Sequence, residues 1–415
     1  MTGRAEIFQV CQRIARDLEV SAQDLSRFAL QIATSDRAEC REAEGEPSDG
    51  FRGGQFELPP GTYSLFDYQR EAVTLLEGLC ADRKKAIVSL PTGAGKTRTA
   101  LAFCLEQFAR TPAIRIDWLA PSHDLVLQAV QTLKTLWNAS PLKSRLCCAA
   151  LDVSSELESG IAFGTLQLAA ARRGSLLNNS SILIIDEAHR AAARTFSRVV
   201  RDAERCGAQI VGLTATPGRA RNEETLVLSE LFDGRMIVPP LLGKDPVKAL
   251  RKRGILATPK FIALNASGRD GSVIRSFVNS VCHSNIRPGI AFARSIPECY
   301  AVAASLIQRG LRAAVVTHKH SVSVRASRLT ALANDKLDWI INVELLSTGI
   351  DIPALKAVAL LCQIGSPVTY EQIIGRASRG PKIGGSDEAL ILDGFDHLKQ
   401  HGDVSSYSRF LSYEW

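Results

Sequence analysis

The 415-residue sequence contains no run near the roughly 18 consecutive apolar residues of a membrane span, so no membrane-embedded segment is expected. Its first twenty residues, MTGRAEIFQVCQRIARDLEV, lack the long apolar stretch of a secretory leader, which points to a cytoplasmic protein. None of the ten cysteines has CxxC spacing, and they are scattered through apolar segments with only Cys147 and Cys148 adjacent. That excludes a disulfide framework and favours reduced, buried thiols. The Cys282–His283 and His318-x-His320 pairs lack further ligands at zinc spacing, so no structural metal is expected. A disordered or fibrous chain is also excluded, because 46% hydrophobic, 22% charged and 6% aromatic residues are the proportions of an ordinary globular protein.

What is present begins with length. At about 150 residues per domain, 415 residues imply two or three domains. Residues 5–33 read as two short amphipathic helices, with Ser21 and Asp24 as a capping box for the second. Residues 34–62 turn polar, with glycine and proline, and read as a linker. Between about 63 and 240, apolar β-rich runs (AIVSL, IDWLAP, RLCCAALD, IAFGT, ILIID, QIVGLTAT) alternate with helical stretches. A second series, GIAFA, AAVVT, DWIINV, AVALLCQ and EALILD, follows from about 288. Continuously apolar runs fit strands covered on both faces of a parallel sheet. The expected organisation is a helical appendage and linker (1–62) and two α/β domains (63–240 and 241–415). Residues 217–287 read as irregular, with room for a small helical insertion, and the appendage is expected to pack on the first α/β domain.

Net charge is +7, from 50 Lys plus Arg against 43 Asp plus Glu, which permits a polyanionic partner without requiring one. Segment 243–254 concentrates Lys244, Lys248, Arg251, Lys252 and Arg253 against Asp245 alone, and a solvated helix explains it as well as a phosphate contact does.

The chemistry starts at VSLPTGAGKTRTA (88–100), where a strand runs into glycines and then a helix. Successive backbone N–H groups of Thr92, Gly93, Ala94 and Gly95, followed by a helix N-terminus, make a concave anion site. Lys96 would reach the β and γ phosphates of a nucleotide and the Thr97 hydroxyl would bind Mg²⁺, although Leu90 stands where the strict pattern has its first glycine. About 90 residues on, SILIIDEAHRA delivers Asp186 and Glu187 side by side at a strand end. One carboxylate can hold Mg²⁺ while the other orients and deprotonates the attacking water. Alone, an acidic pair is more often a helix cap; together the two elements point to a nucleoside triphosphatase.

DYQREAV, LPTGAGKT, DEAH, TATPGR, STGIDIP and QIIGRASR, in this order, resemble the superfamily 2 helicases, most closely the XPB-like DEAD/DEAH-box group that includes restriction-enzyme motor subunits. The resemblance covers about residues 63–395. It implies two tandem RecA-like α/β domains with parallel sheets, with ATP and Mg²⁺ in a cleft between them. It assigns adenine reading to Gln69, coupling to Thr214 and Thr216, and a cleft loop to Gly349 and Asp351. His189 becomes a phosphate or domain-coupling contact. Arg376 and Arg379 become arginine fingers, with Gln372 also toward the γ-phosphate, and their spacing of three is expected to place both arginines on one helix face. Nucleic-acid contacts fall on Pro121, Ser122 and His123, on Gly164, Thr165 and Gln167, on Phe292 and Arg294, and on Ser347 and Thr348, all grips on backbone rather than base.

The expected function is an ATP-dependent DNA helicase or translocase, a hydrolase acting on ATP. The alternatives are a duplex-tracking motor subunit that does not unwind, an RNA helicase, and an ATP-holding scaffold with little turnover. Nucleic acid is the expected partner, with DNA ahead of RNA. No nuclease-like cluster is visible, so any cleavage would come from a protein partner, and residues 1–60 are the candidate docking element.

Overall fold

The computed structural model describes residues 3–18, 20–45, 54–56, 64–80, 84–138, 146–151, 157–172, 181–192, 194–217, 222–264, 270–284, 286–343 and 355–401. The chain opens with α1 (Gly3–Leu18), α2 (Ala22–Gly45) and β1 (Gly54–Phe56). It continues through α3 (Asp67–Cys80), β2 (Ala86–Ser89), α4 (Lys96–Arg110), β3 (Arg115–Ala120), α5 (His123–Asn138), β4 (Leu146–Ala150), β5 (Gly160–Thr165) and α6 (Leu166–Ala171). Then come β6 (Ile182–Ile185), α7 (Arg194–Arg205), β7 (Gln209–Thr214), α8 (Asn222–Leu231), β8 (Met236–Ile237) and α9 (Pro246–Lys252). The last third holds β9 (Thr258–Ala263), α10 (Asp270–Ser284), β10 (Gly289–Phe292), α11 (Ile296–Ile307), β11 (Ala313–Val316), α12 (Val322–Ala333), β12 (Trp339–Asn342), β13 (Ala357–Leu360), α13 (Pro367–Ala377), β14 (Glu388–Asp393) and α14 (His397–His401). Two compact units result: one holds residues 49–250, the other joins residues 1–48 to residues 251–403.

The unit of residues 49–250 is an eight-stranded sheet of order β1-β4-β5-β3-β6-β7-β2-β8, parallel except for the β1–β4 pair. Its central strands are buried along their whole length, mostly apolar, with Arg115 and Asp117 of β3 buried as an ion pair 3.3 Å apart. One face packs Leu119, Leu183 and Ile210 against Val199 and Val200 of α7 and Phe232.

The other unit is a six-stranded, all-parallel sheet of order β11-β12-β10-β13-β14-β9. One face packs against α13 through Tyr370, Ile373 and Ile374. The opposite face shares a core with α10, α11, α1 and α2, into which the appendage inserts Ile7, Cys11, Ile14, Leu18, Leu25 and Ala29.

Every apolar run read as a strand forms one. The strands that pattern did not reveal, β1, β8 and β9, all sit at sheet edges, where a strand is covered on fewer sides and loses its apolar signature. Three further expectations are corrected. The second appendage helix does not end near residue 33: α2 runs to Gly45, because Asp36 and Glu39 find Arg328 as a partner. The appendage packs in the unit of residues 251–403 rather than with the first α/β domain. α10 is a core helix, not an insertion, since Val273, Ile274, Phe277, Val278 and Val281 are buried in the same cluster.

Candidate active site

Parallel strands send their C-terminal ends to one edge, and there β2, β7, β6, β3 and β5 deliver the motif loops side by side. β2 runs into residues 90–95, and α4 begins at Lys96. Gly93 and Gly95 have φ of 85° and 81°, left-handed values that a side chain adopts at a steric cost. Gly95 caps α4 without a side-chain hydrogen bond, so the first-turn N–H groups of that helix carry the positive end of its dipole. The loop is tied to its neighbours by Leu90 N–H donating to Thr214 O at 3.2 Å and by Ala94 N–H donating to Pro91 O at 3.0 Å.

From α3, Gln69 Nε2 donates to Ala94 O at 3.1 Å while its Oε1 accepts from Phe66 N at 3.1 Å. A Cβ on Gly95 would lie 2.4 Å from Gln69 Nε2, so only glycine permits this approach. In this structure Gln69 therefore holds the glycine loop. The side chain beside it, Tyr68, also reaches the loop: its hydroxyl donates to Ala94 O at 2.9 Å. Nothing in its residue type marks Tyr68 for this role, because the contact is to a backbone carbonyl.

β6 ends at Ile185, placing Asp186 and Glu187 opposite that loop. Asp186 is 3% exposed. Burial first, and the Glu187 charge second, push its pKa up to about 7, against the pull of Lys96, the Glu187 backbone N–H and a hydrogen bond with Thr97. Its carboxylate accepts from Glu187 N at 2.9 Å, which fixes a turn in which Glu187 takes φ of 50°. A left-handed glutamate costs on the order of 1–3 kcal/mol and persists where surroundings over-determine it. His189 Nδ1 lies 3.4 Å from Glu187 Oε2 and 3.2 Å from Thr214 Oγ1. The Thr214 hydroxyl in turn donates to Thr216 O and accepts from Thr216 N, both at 3.0 Å. One buried chain of contacts thus links the carboxylate pair to the end of β7.

The residues assigned to nucleic acid divide. Ser122 follows β3 and Thr165 ends β5, but their hydroxyls accept from Leu125 N and Leu168 N and so cap α5 and α6. Gly164 is required by packing, since a Cβ there would meet Leu151 Cβ at 2.6 Å. Pro121 is buried, while His123 and Gln167 are exposed. In the other unit, Phe292 is buried in the core and Arg294 is exposed just beyond β10. Ser347, Thr348, Gly349 and Asp351 lie outside the described residues.

Arg376 and Arg379 do not share a helix face. α13 ends at Ala377, and Arg379 lies beyond it in a β-bridge with Leu256. The pair four apart on α13 is Gln372 and Arg376, and those two share a face. Gln372 is 6% exposed, and its Nε2 has no hydrogen-bond partner among the described residues. Burial pushes the Arg379 guanidinium down to about 10, leaving it charged at neutral pH. No group of three or more His, Cys, Asp or Glu placed to hold a metal occurs among the described residues, and no described helix is long and apolar enough to cross a membrane.

Two family models match, that for the type III restriction enzyme res subunit over residues 62–219 and that for the helicase conserved C-terminal domain over residues 272–380. The chain belongs to the superfamily 2 helicases. A Sulfolobus islandicus filamentous virus protein (isolate Iceland/Hveragerdi) that carries a helicase name is 25% identical over 339 residues, 71% of this chain and 57% of that one. Two solved structures share the fold. The DUF1998 helicase MrfA bound to DNA superposes with a TM-score of 0.62 at 14% identity, over 90% of this chain and 55% of its own. A variant of S. cerevisiae Dbp5 bound to RNA and ADP BeF3 gives 0.58 at 15%, over 82% and 93%. This superfamily 2 chain thus spans little more than half the length of the viral relative.

Proposed function

We propose that the chain is an ATP-dependent nucleic-acid motor, a helicase or translocase, with DNA ahead of RNA as its track. The observation that carries this reading is the meeting of Lys96, Thr97 and the buried Asp186 at one sheet edge, with Glu187 beside them and His189 and Thr214 leading away. The glycine loop and the α4 N-terminus suit a triphosphate. A carboxylate and a hydroxyl are hard oxygen donors that fit Mg²⁺, and a cation there would favour the charged form of Asp186 that burial disfavours. When bound, Mg²⁺ would neutralise phosphate charge. Glu187 is then the group to orient and deprotonate water, and Gln372, Arg376 and Arg379 are assigned to the γ-phosphate by the motif resemblance. The match to a restriction-enzyme subunit favours a second reading, a duplex-tracking motor that moves without separating strands and leaves cleavage to a protein partner.

The experiment is ATP hydrolysis by the purified chain alone and with single-stranded DNA, duplex DNA or RNA, beside Lys96→Ala and Glu187→Gln. Stimulation by DNA that both variants lose supports the motor and names the track. Stimulation by RNA alone moves the track to RNA, and nucleotide binding without turnover on any polymer leaves the scaffold reading.

A further inference from the structure

We propose that Tyr68 is a positioning residue that aims the phosphate loop by holding the Ala94 carbonyl, a role that rests on the nucleotide reading above. Tyr68 is fully buried in the first turn of α3, its ring stacked on Phe66 with centroids 5.9 Å apart and planes 8° from parallel. Its hydroxyl and the Gln69 amide both donate to Ala94 O, at 2.9 and 3.1 Å. A carbonyl oxygen has two lone pairs, and here both are engaged from one side. In a planar trans peptide the C=O and the following N–H point in opposite directions. Drawing the Ala94 carbonyl toward α3 therefore turns the Gly95 N–H away from α3, at the residue that caps α4. The φ of 81° at Gly95 and the 2.4 Å approach of Gln69 Nε2 to its missing Cβ show how closely α3 backs this peptide.

The two donors differ in what else they do. Gln69 is the residue that the motif resemblance gives to the base. The Tyr68 hydroxyl sits on the buried Ala94 carbonyl of the loop, and its role is exerted through that loop. Tyr68→Phe keeps the stacked ring and removes one donor, leaving the carbonyl on Gln69.

The test measures kcat and KM for ATP in the wild type and in Tyr68→Phe, together with the inhibition constant of inorganic tripolyphosphate, which has phosphates and no base. KM for ATP and the tripolyphosphate constant are expected to rise together, by about 3- to 10-fold, with kcat changed less than about twofold. Both constants unchanged in Tyr68→Phe would overturn this role while leaving the nucleotide reading intact. A wild type that binds neither ATP nor tripolyphosphate would overturn that reading and this role with it.

Discussion

Two buried aspartates, one in each compact unit, are shifted in opposite directions. Asp186, 3% exposed at the end of β6, is pushed up to about 7 because burial and Glu187 outweigh Lys96 and Thr97. Asp36, 6% exposed on α2, is held below the ordinary carboxylate range: burial works against it, but His320 and Arg328 more than compensate. Arg328 Nη2 lies 2.8 Å from Asp36 Oδ1, and His320 Nε2 lies 3.3 Å from Oδ2. His320 Nδ1 accepts from Thr317 N, which leaves its Nε2 as the donor toward Asp36. The contrast separates two uses of a buried charge. Asp36 is neutralised by its own chain and fastens a helical appendage. Asp186 is left short of positive charge, a condition that disfavours the unliganded fold and suits a site awaiting a cation.

The widest separation between the two regions is expected from Glu187→Gln and Asp36→Ala. The first lowers polymer-stimulated hydrolysis by about 10²- to 10⁴-fold with little change in melting temperature. The second removes one partner of a buried ion pair and destabilises the unit of residues 251–403 by about 3–5 kcal/mol, read by chemical denaturation. A Glu187→Gln protein that melts early, or an Asp36→Ala protein as stable as the wild type, would merge the two classes.

Stability against pH sharpens the same contrast. The depressed pKa of Asp36 contributes stability above the unfolded carboxylate value of about 3.9, and that stability is lost as pH falls through the lower folded value. Asp186 behaves in reverse, since its folded pKa is raised: the folded state has its full relative stability below about 3.9 and loses it as pH rises through about 7. Asp186→Asn is therefore expected to stabilise the protein by a few kcal/mol at pH 8 and by nothing measurable at pH 4, while abolishing hydrolysis. An equal gain at both pH values would show that the carboxylate charge is not what costs stability.

The smallest effect concerns the helix caps. Thr165→Ala is expected to lower stability by about 1 kcal/mol, the usual value of an N-cap hydroxyl, by denaturant melt. A loss of nucleic-acid affinity with no loss of stability would return Thr165 to the strand-gripping role that its motif first suggested.

Strand pattern was legible wherever burial on both faces leaves an apolar run, and illegible at β1, β8 and β9, where edge position removes that requirement. The polar second half of α2 reads as a linker because the partner that stabilises it, Arg328, lies 292 positions from Asp36. Spacing alone could not show that α13 stops at Ala377, so Arg376 and Arg379 read as one helix face although a bridge to Leu256 takes the second. Lys96, Thr97, Asp186 and Glu187 were legible because their chemistry fixes residue type and context together. Tyr68 was not, because its part is played through a backbone carbonyl that carries no sequence signature.

The central claim, movement driven by ATP, is tested most directly by displacement of a third strand from a triplex site on duplex DNA. The wild type is expected to displace it only with ATP and Mg²⁺, and Lys96→Ala not at all. DNA-stimulated hydrolysis with no displacement from either end of the duplex, and none from single-stranded tracks carrying a bound protein block, would contradict a motor.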